Sequence, residues 1–399
     1  MARARLAVVI PSLHGAGCER MVAALLPAFQ ERFDVHLILH RAAIAYPIPS
    51  SVPIHLLQGD ASPEHHVAYK ALRFGQRATR LAAILRRERY GAVLGFVDVS
   101  NVLTAYAHAL AGSRACLVLA EHTVNPQFFR FNPYARRLRP LLQALLRVAY
   151  TRADRVIAIS RAMQRYLRDG LGIHRSTDLI YNGVDTDVFH PPRTGEPCPS
   201  LEPAYAAPGV RLLSVGRLDA NKDHAFLVRL LPALLAALPD ARLFLVGVGP
   251  EEAALRRLAG GLGLADRVVL LGWRENVADY LRRADAFLLA SHHESFSNAT
   301  VEALACGTPV VVTRASAALP EVLAGGRYGA VVPPGDRAAY ARAVIDTVQR
   351  RAPDRGYRAE IAAFARARFD LRETRARYLQ VVQGAMIGDG ASMATATPP

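Results

Sequence analysis

Two glutamates, Glu294 and Glu302, stand eight positions apart around SFSNATV, a stretch with the residues of a helix start. Ser297 or Asn298 suits the cap, Gly307 the first position beyond the helix end, and Pro309 the start of the next strand. Carboxylates on both sides of such a start accept hydrogen bonds from sugar or ribose hydroxyls, while the backbone N–H groups of residues 295–298 attract phosphate oxygens. A second constellation lies in SVGRLDANKDH, where Arg217 and Lys222 follow an apolar run and are five residues apart. A planar guanidinium and a compact ammonium at one strand end suit a diphosphate. A third is LVLAEHTV, which leaves Glu121 and His122 at a strand end, where a histidine can meet a hydroxyl. PSLHGAGCERM after the first apolar run carries Gly15 and Gly17, with Arg20 where a dinucleotide fingerprint needs its third glycine. Nicotinamide binding is therefore disfavoured. His292 and His293 beside Glu294 raise a metal, but adjacent side chains at a strand end point to opposite faces and the sequence shows no further ligand cluster. Asn298-Ala-Thr matches a glycosylation sequon, which a helix cap explains better.

The elements that position these residues are apolar runs almost without interruption, the pattern of parallel strands covered on both faces. The first half predicts strands over 6–10, 35–40, 92–97, 116–120, 155–159 and 179–181. The proline-rich stretch 190–209 reads as a linker, and the pattern restarts with strands over 211–215, 242–246, 268–271, 286–290, 309–313 and 330–332. Helical stretches separate the strands, so the fold class is α/β, with two doubly wound parallel-sheet domains over 1–189 and 210–358. Residues 359–382 read as one helix and 384–399 as a disordered tail. Ligands of open α/β sheets bind beyond the carboxyl ends of the strands, where all three constellations lie.

Taken together, YNGVDTDVF, SVGRLDANKDH, LFLVGVGP, VVLLGW, DAFLLASHHESFSNATVEALACGTPVV and GAVVPPGD resemble, in order and spacing, glycosyltransferase family 4. ESFSNATVE is similar to its E-x7-E motif. The resemblance implies the two-Rossmann GT-B architecture and retaining transfer from a nucleotide sugar, with no metal or other cofactor required. It implies that Arg217 and Lys222 hold the donor diphosphate, that Glu302 binds ribose hydroxyls, and that Glu294 contacts the transferred sugar near the amides of Ser295, Phe296, Ser297 and Asn298. The loop with Gly272, Trp273, Arg274 and Val277 falls near the base. Gly17 belongs to the loop like the family's GGxER, with Gly15, Glu19, Arg20 and His122 on the acceptor side. His122, Glu294, Arg217 and Lys222 are the residues expected at the reaction. Ala16 replaces a glycine of that loop, and residues 314–322 lack the glycines usual before the Pro-Glu of the family. The terminal helix is expected to pack on the front domain.

The formal charge of +15 is uneven: residues 1–190 hold 24 Lys and Arg against 13 Asp and Glu, the remainder 25 against 21. Residues 70–90 carry seven cations and one acid, and residues 128–152 six cations and no acid among aromatic and leucine residues. The expectation is a front domain that docks on the anionic inner face of the cell membrane and takes a saccharide or lipid-linked saccharide acceptor. No motif supports a nucleic-acid partner. Four scattered cysteines and no apolar run near the length of a membrane span suit the cytoplasm. The function expected is transfer of a hexosyl or N-acetylhexosaminyl group, with a UDP-sugar favoured, in cell-surface glycan synthesis. A GT-B sugar-nucleotide epimerase and a GDP-mannose-dependent mannosyltransferase are the alternatives.

Overall fold

The structure, a computed structural model, describes residues 3–15, 17–58, 67–123, 139–193 and 201–387, with the backbone alone for 67–72. The chain divides into two units, Met1–Asn182 with Arg372–Pro399, and Gly183–Leu371.

In the first unit β1 (Arg5–Ile10), α1 (Gly17–Arg32), β2 (Asp34–Leu39), β3 (Ile54–Leu56), α2 (Val67–Glu88), β4 (Ala92–Phe96), α3 (Asp98–Leu110), β5 (Cys116–Glu121), α4 (Arg139–Arg152), β6 (Arg155–Ala158), α5 (Arg161–Arg165) and β7 (Asp178–Leu179) follow in order. The seven strands form one parallel sheet, ordered β3-β2-β1-β4-β5-β6-β7. Alternation along β4 divides the core. Val93 joins Leu81, Leu85, Val102 and Leu146 beneath α2, α3 and α4. Phe96 turns the other way and stacks on Tyr378. The edge strand β3 has no counterpart in the sequence expectation, because it is only three residues long and largely exposed.

The second unit contains α6 (Pro203–Ala206), β8 (Arg211–Val215), α7 (His224–Leu235), β9 (Arg242–Val246), α8 (Glu252–Gly261), β10 (Val268–Gly272), α9 (Val277–Arg283), β11 (Ala286–Leu289), α10 (Asn298–Ala305), β12 (Val310–Thr313), α11 (Leu319–Val322), β13 (Ala330–Val332), α12 (Arg337–Asp346) and α13 (Arg355–Phe369). Its six strands are parallel in the order β10-β9-β8-β11-β12-β13. In both sheets the order reverses beside the first strand, the point at which open α/β sheets bind ligands beyond the carboxyl ends.

The single helix expected over 359–382 is two. α13 stops at Phe369, and α14 (Leu371–Ile387) starts two residues later. The break is held from outside the helices: Thr186 Oγ1 donates to Asp370 at 2.6 Å, Val184 N to Phe369 O at 2.7 Å, and Leu371 N to Val184 O at 2.9 Å. α13 belongs to the second unit, and α14 from Arg372 onward to the first. α14 also takes in Gly384–Ile387, the start of the segment read as a tail. The rest of that tail, linker residues 194–200 and basic residues 128–138 lie outside the described residues.

Just beyond α10 and its C-cap Cys306 stands Gly307, whose φ is +73° and where a Cβ would lie 2.8 Å from Arg358 O on α13. A side chain there meets backbone in a conformation that L residues avoid. Gly307→Ala is expected to lower the stability of the second unit by about 1–3 kcal/mol, read from urea denaturation.

Candidate active site

The second unit builds its site from three strand exits. After β8 the chain runs Gly216-Arg217-Leu218, and after β9 Gly247-Val248-Gly249 lies against it. Gly216 N donates to Val246 O at 2.9 Å and Leu218 N to Val248 O at 3.0 Å. A Cβ on Gly247 would sit 1.9 Å from Gly216 O, and one on Gly249 would sit 2.2 Å from Leu218 O. Only glycines permit this approach. Leu218 is buried, so the loop is anchored on one side while Arg217, 72% exposed at its side chain, projects beside Asp219 at 3.6 Å. The stem of Lys222 passes over Gly216.

The third exit follows β11. Asn221 Nδ2 donates to His293 O at 3.0 Å and His292 N to Asn221 O at 2.8 Å, which stitches the Lys222 loop to the Glu294 loop. As a result Lys222 Nζ lies 2.5 Å from Glu294 Oε1. Ser291 Oγ donates to the same carboxylate oxygen at 2.8 Å, and Thr313 Oγ1 holds Ser291 O at 2.8 Å. Glu294 is largely buried. Asp223, with a φ of 46°, caps α7 and faces His292 at 3.4 Å.

Ser297 stands at the cap position of α10 with a φ of 74°, but its hydroxyl pairs with Thr300 Oγ1 at 2.8 Å and makes no cap bond. Glu302 is buried inside α10. Phe296 packs edge-on against Phe369, so its ring belongs to the core and only its backbone faces the loop. Ser295 precedes it on the same loop, and Asn298 opens α10. In the exit after β10, Gly272 has a φ of +71°, Arg274 is bound to Glu202 at 2.7 Å and to Tyr280 Oη at 3.2 Å, and Val277 opens α9. Trp273 is left 61% exposed.

The first unit carries a different set. His122, buried at the end of β5, has Nε2 3.3 Å from Tyr378 Oη and its ring 5.5 Å from Phe96. Its Nδ1 meets no hydrogen-bonding partner among the described residues. Burial pushes this imidazole down to about 3, so it is uncharged at neutral pH. Beneath it the fully buried Glu121 accepts from Tyr150 Oη, and from Thr123 N at 2.8 Å, while Asn101 Nδ2 donates to Tyr150 Oη at 3.1 Å. Tyr150, Asn101 and Tyr378 escape sequence reasoning because each lies on a helix far along the chain from His122 or Glu121, and only the fold brings them together. Gly15 has a φ of +118°, Gly17 opens α1, and Glu19 accepts from Ser12 Oγ at 2.6 Å. Arg20 lines an apolar hollow of about 450 Å³ with Pro27, Tyr46 and Pro47. Among the described residues no three His, Cys, Asp or Glu side chains are arranged to hold a metal ion.

Two family models match the chain: Glycosyltransferase Family 4 over residues 15–188 and Glycosyl transferases group 1 over residues 209–350. A relative from Campylobacter jejuni, named N-acetylgalactosamine-N,N'-diacetylbacillosaminyl-diphospho-undecaprenol 4-alpha-N-acetylgalactosaminyltransferase, is 30% identical over 329 residues, 82% of this chain and 86% of that protein. The chain belongs to glycosyltransferase family 4. Two solved structures agree with a glycosyltransferase of GT-B fold. Sucrose-phosphate synthase from Thermosynechococcus elongatus superposes with a TM-score of 0.77 at 20% identity, over 97% of this chain and 100% of that one. Anabaena Alr3699/HepE in complex with UDP-glucose superposes with a TM-score of 0.72 at 20% identity, over 96% and 100%.

Three buried histidines make the stability of this glycosyltransferase depend on pH. Burial, joined by nearby arginines at His40 and by Lys222 at His224, pushes His40 down to about 3 and His224 to about 4, and His122 is held as low. Folded-state values below the unfolded value of about 6.5 mean that the unfolded chain binds more protons, so stability is lost as pH falls from about 6.5 towards these values. Between pH 6.5 and 5 each is expected to remove about 1.6 kcal/mol, and His122→Phe to flatten the fall in urea titrations across that range.

Proposed function

We propose that this glycosyltransferase transfers an N-acetylhexosaminyl or hexosyl group from a UDP-sugar, with retention of anomeric configuration, to a saccharide carried on a lipid diphosphate. The observation that carries the donor side is the Lys222–Glu294 pair at 2.5 Å, stitched in place by Asn221 beside the projecting Arg217. A bound diphosphate exchanges Glu294 for phosphate oxygens on Lys222, and Arg217 adds a second cation from an exposed position. Glu294, released from Lys222 and still held by Ser291, accepts a hydroxyl of the donor sugar. Glu302 serves the ribose. The exposed ring of Trp273 lies in the loop assigned to the base.

In the reaction the bond from the anomeric carbon to the diphosphate breaks and the bond to the acceptor oxygen forms on the same face. The acceptor proton passes to the departing phosphate oxygen. Negative charge grows on the diphosphate, and Lys222 and Arg217 stabilise it there more strongly than in the bound substrate. His122, neutral and with Nδ1 unpartnered, suits hydrogen bonding to a hydroxyl of the sugars and does not titrate near neutrality. Supporting the acceptor class, the Campylobacter relative is named for α-N-acetylgalactosaminyl transfer to a diphospho-undecaprenol-linked saccharide. Supporting the nucleotide, the Anabaena structure is a complex with UDP-glucose.

Thermal-shift titration with UDP, GDP and their sugars tests this reading. UDP at a hundredfold excess over its Kd is expected to add about 2.7 kcal/mol of stability, with the gain lost in Lys222→Ala and Arg217→Ala. Trp273 is the sole tryptophan, so its fluorescence should change on the same titration. Stabilisation by GDP alone moves the donor to the guanosine series, and no response to any nucleoside diphosphate overturns the proposal. Conversion of the nucleotide sugar without an acceptor identifies an epimerase.

A further inference from the structure

The proline-rich stretch between the two α/β patterns is fastened to α9, the helix that follows the β10 exit loop. At its later end Tyr205 is buried, with its ring edge-on to Phe244 of β9 at 4.5 Å and to Tyr280 of α9 at 4.9 Å. Tyr205 Oη donates to Tyr280 O at 2.5 Å. Arg211, at the start of β8, donates to Tyr205 O at 2.8 Å and to Ala207 O at 3.0 Å. At the entrance to the same stretch, Arg282 of α9 donates from Nη2 to Val188 O at 2.6 Å and from Nε to His190 O at 2.9 Å. All of these residues belong to the second unit. A segment that the sequence presents as a spacer is thus tied at both ends to one helix.

Glu202 stands at the cap position of α6, but its side chain makes no cap bond. Its carboxylate goes instead to the β10 exit loop. Oε1 accepts from Arg274 Nε at 2.7 Å and from Arg274 Nη2, and Oε2 accepts from Tyr280 Oη. Arg274 Nη1 then reaches back and donates to Trp273 O at 2.9 Å. The guanidinium therefore joins the linker carboxylate to the main chain of the loop, just after Gly272 has turned it with a φ of +71°. An isolated ion pair whose side chains are about a third exposed stabilises little. What this one sets is position: it fixes the direction of a backbone carbonyl and the seat of the neighbouring indole. We infer that Glu202 is a positioning residue for the donor nucleotide, acting through Arg274 to hold the Trp273 peptide where the base is read. The inference rests on the assignment of this loop to the base made above. On this reading the side chain of Arg274 is committed to the linker, and the loop meets the base with its backbone and the Trp273 ring.

The experiment compares the full chain with Glu202→Ala and Glu202→Gln. Trp273 is the sole tryptophan, so its fluorescence anisotropy reports the order of the loop with no ligand present. Anisotropy is expected to fall in Glu202→Ala and to be restored in Glu202→Gln, whose amide oxygen can still accept from Arg274. Calorimetric titration with UDP and with inorganic pyrophosphate is the second arm. Glu202→Ala should raise the Kd for UDP about tenfold and leave that for pyrophosphate, which needs only Arg217 and Lys222, unchanged. The same variant should raise KM for the donor and keep kcat, the signature of lost ground-state binding. Unchanged anisotropy in Glu202→Ala overturns the inference. Equal weakening of UDP and pyrophosphate overturns it too, because that marks general loosening of the unit. Failure of UDP to bind the wild-type chain counts against the function proposed above, and the anisotropy arm then decides the clamp by itself.

Discussion

The cluster of charged side chains in the second unit depends on how closely two loops approach, backbone against backbone. Gly247 and Gly249 press on Gly216 and Leu218 at distances that no side chain could share. The contact fixes where β8 ends and where Arg217 leaves the surface. It also leaves the space over Gly216 along which Lys222 reaches Glu294. Placement of the cations is thus set by packing of the main chain, and the charged side chains inherit it.

Charge is distributed unequally between the two sets of residues. In the second unit a cation and a carboxylate satisfy each other, with Ser291 as a further donor. Breaking such a pair by removing one partner leaves the other charge partly buried and uncompensated. In the first unit the strand-end histidine is kept neutral by burial and rests on aromatic rings. Hydrogen bonding there needs no compensating charge.

Much of this is legible in the sequence, for physical reasons. Strands buried on both faces are apolar from end to end, so their positions can be read within one or two residues, and their carboxyl ends locate the loops. Arg217, Lys222 and Glu294 stand out in the sequence because they are charged residues in the loops that follow such runs. What escapes is set by tertiary contact. The three-residue β3 follows the sheet edge; the break at Asp370 is imposed by Thr186 and Val184, far away in sequence. The engagement of Arg274 by Glu202, and the turning of Phe296 into the core, cannot be inferred from spacing. The basic α2 is plainly amphipathic, but periodicity does not say whether an apolar stripe faces a core or a solvent.

The hydroxyl on which His122 leans belongs to Tyr378, 256 positions further along the chain. The second unit, Gly183–Leu371, is one continuous segment placed between the two pieces of the first. During synthesis the segment that carries Tyr378 emerges only after that whole segment has left the ribosome. The histidine pocket is therefore completed late, and a chain cut short before α14 lacks one of its walls however well its earlier strands have paired. Translation order thus couples the finishing of one unit to the prior production of the other.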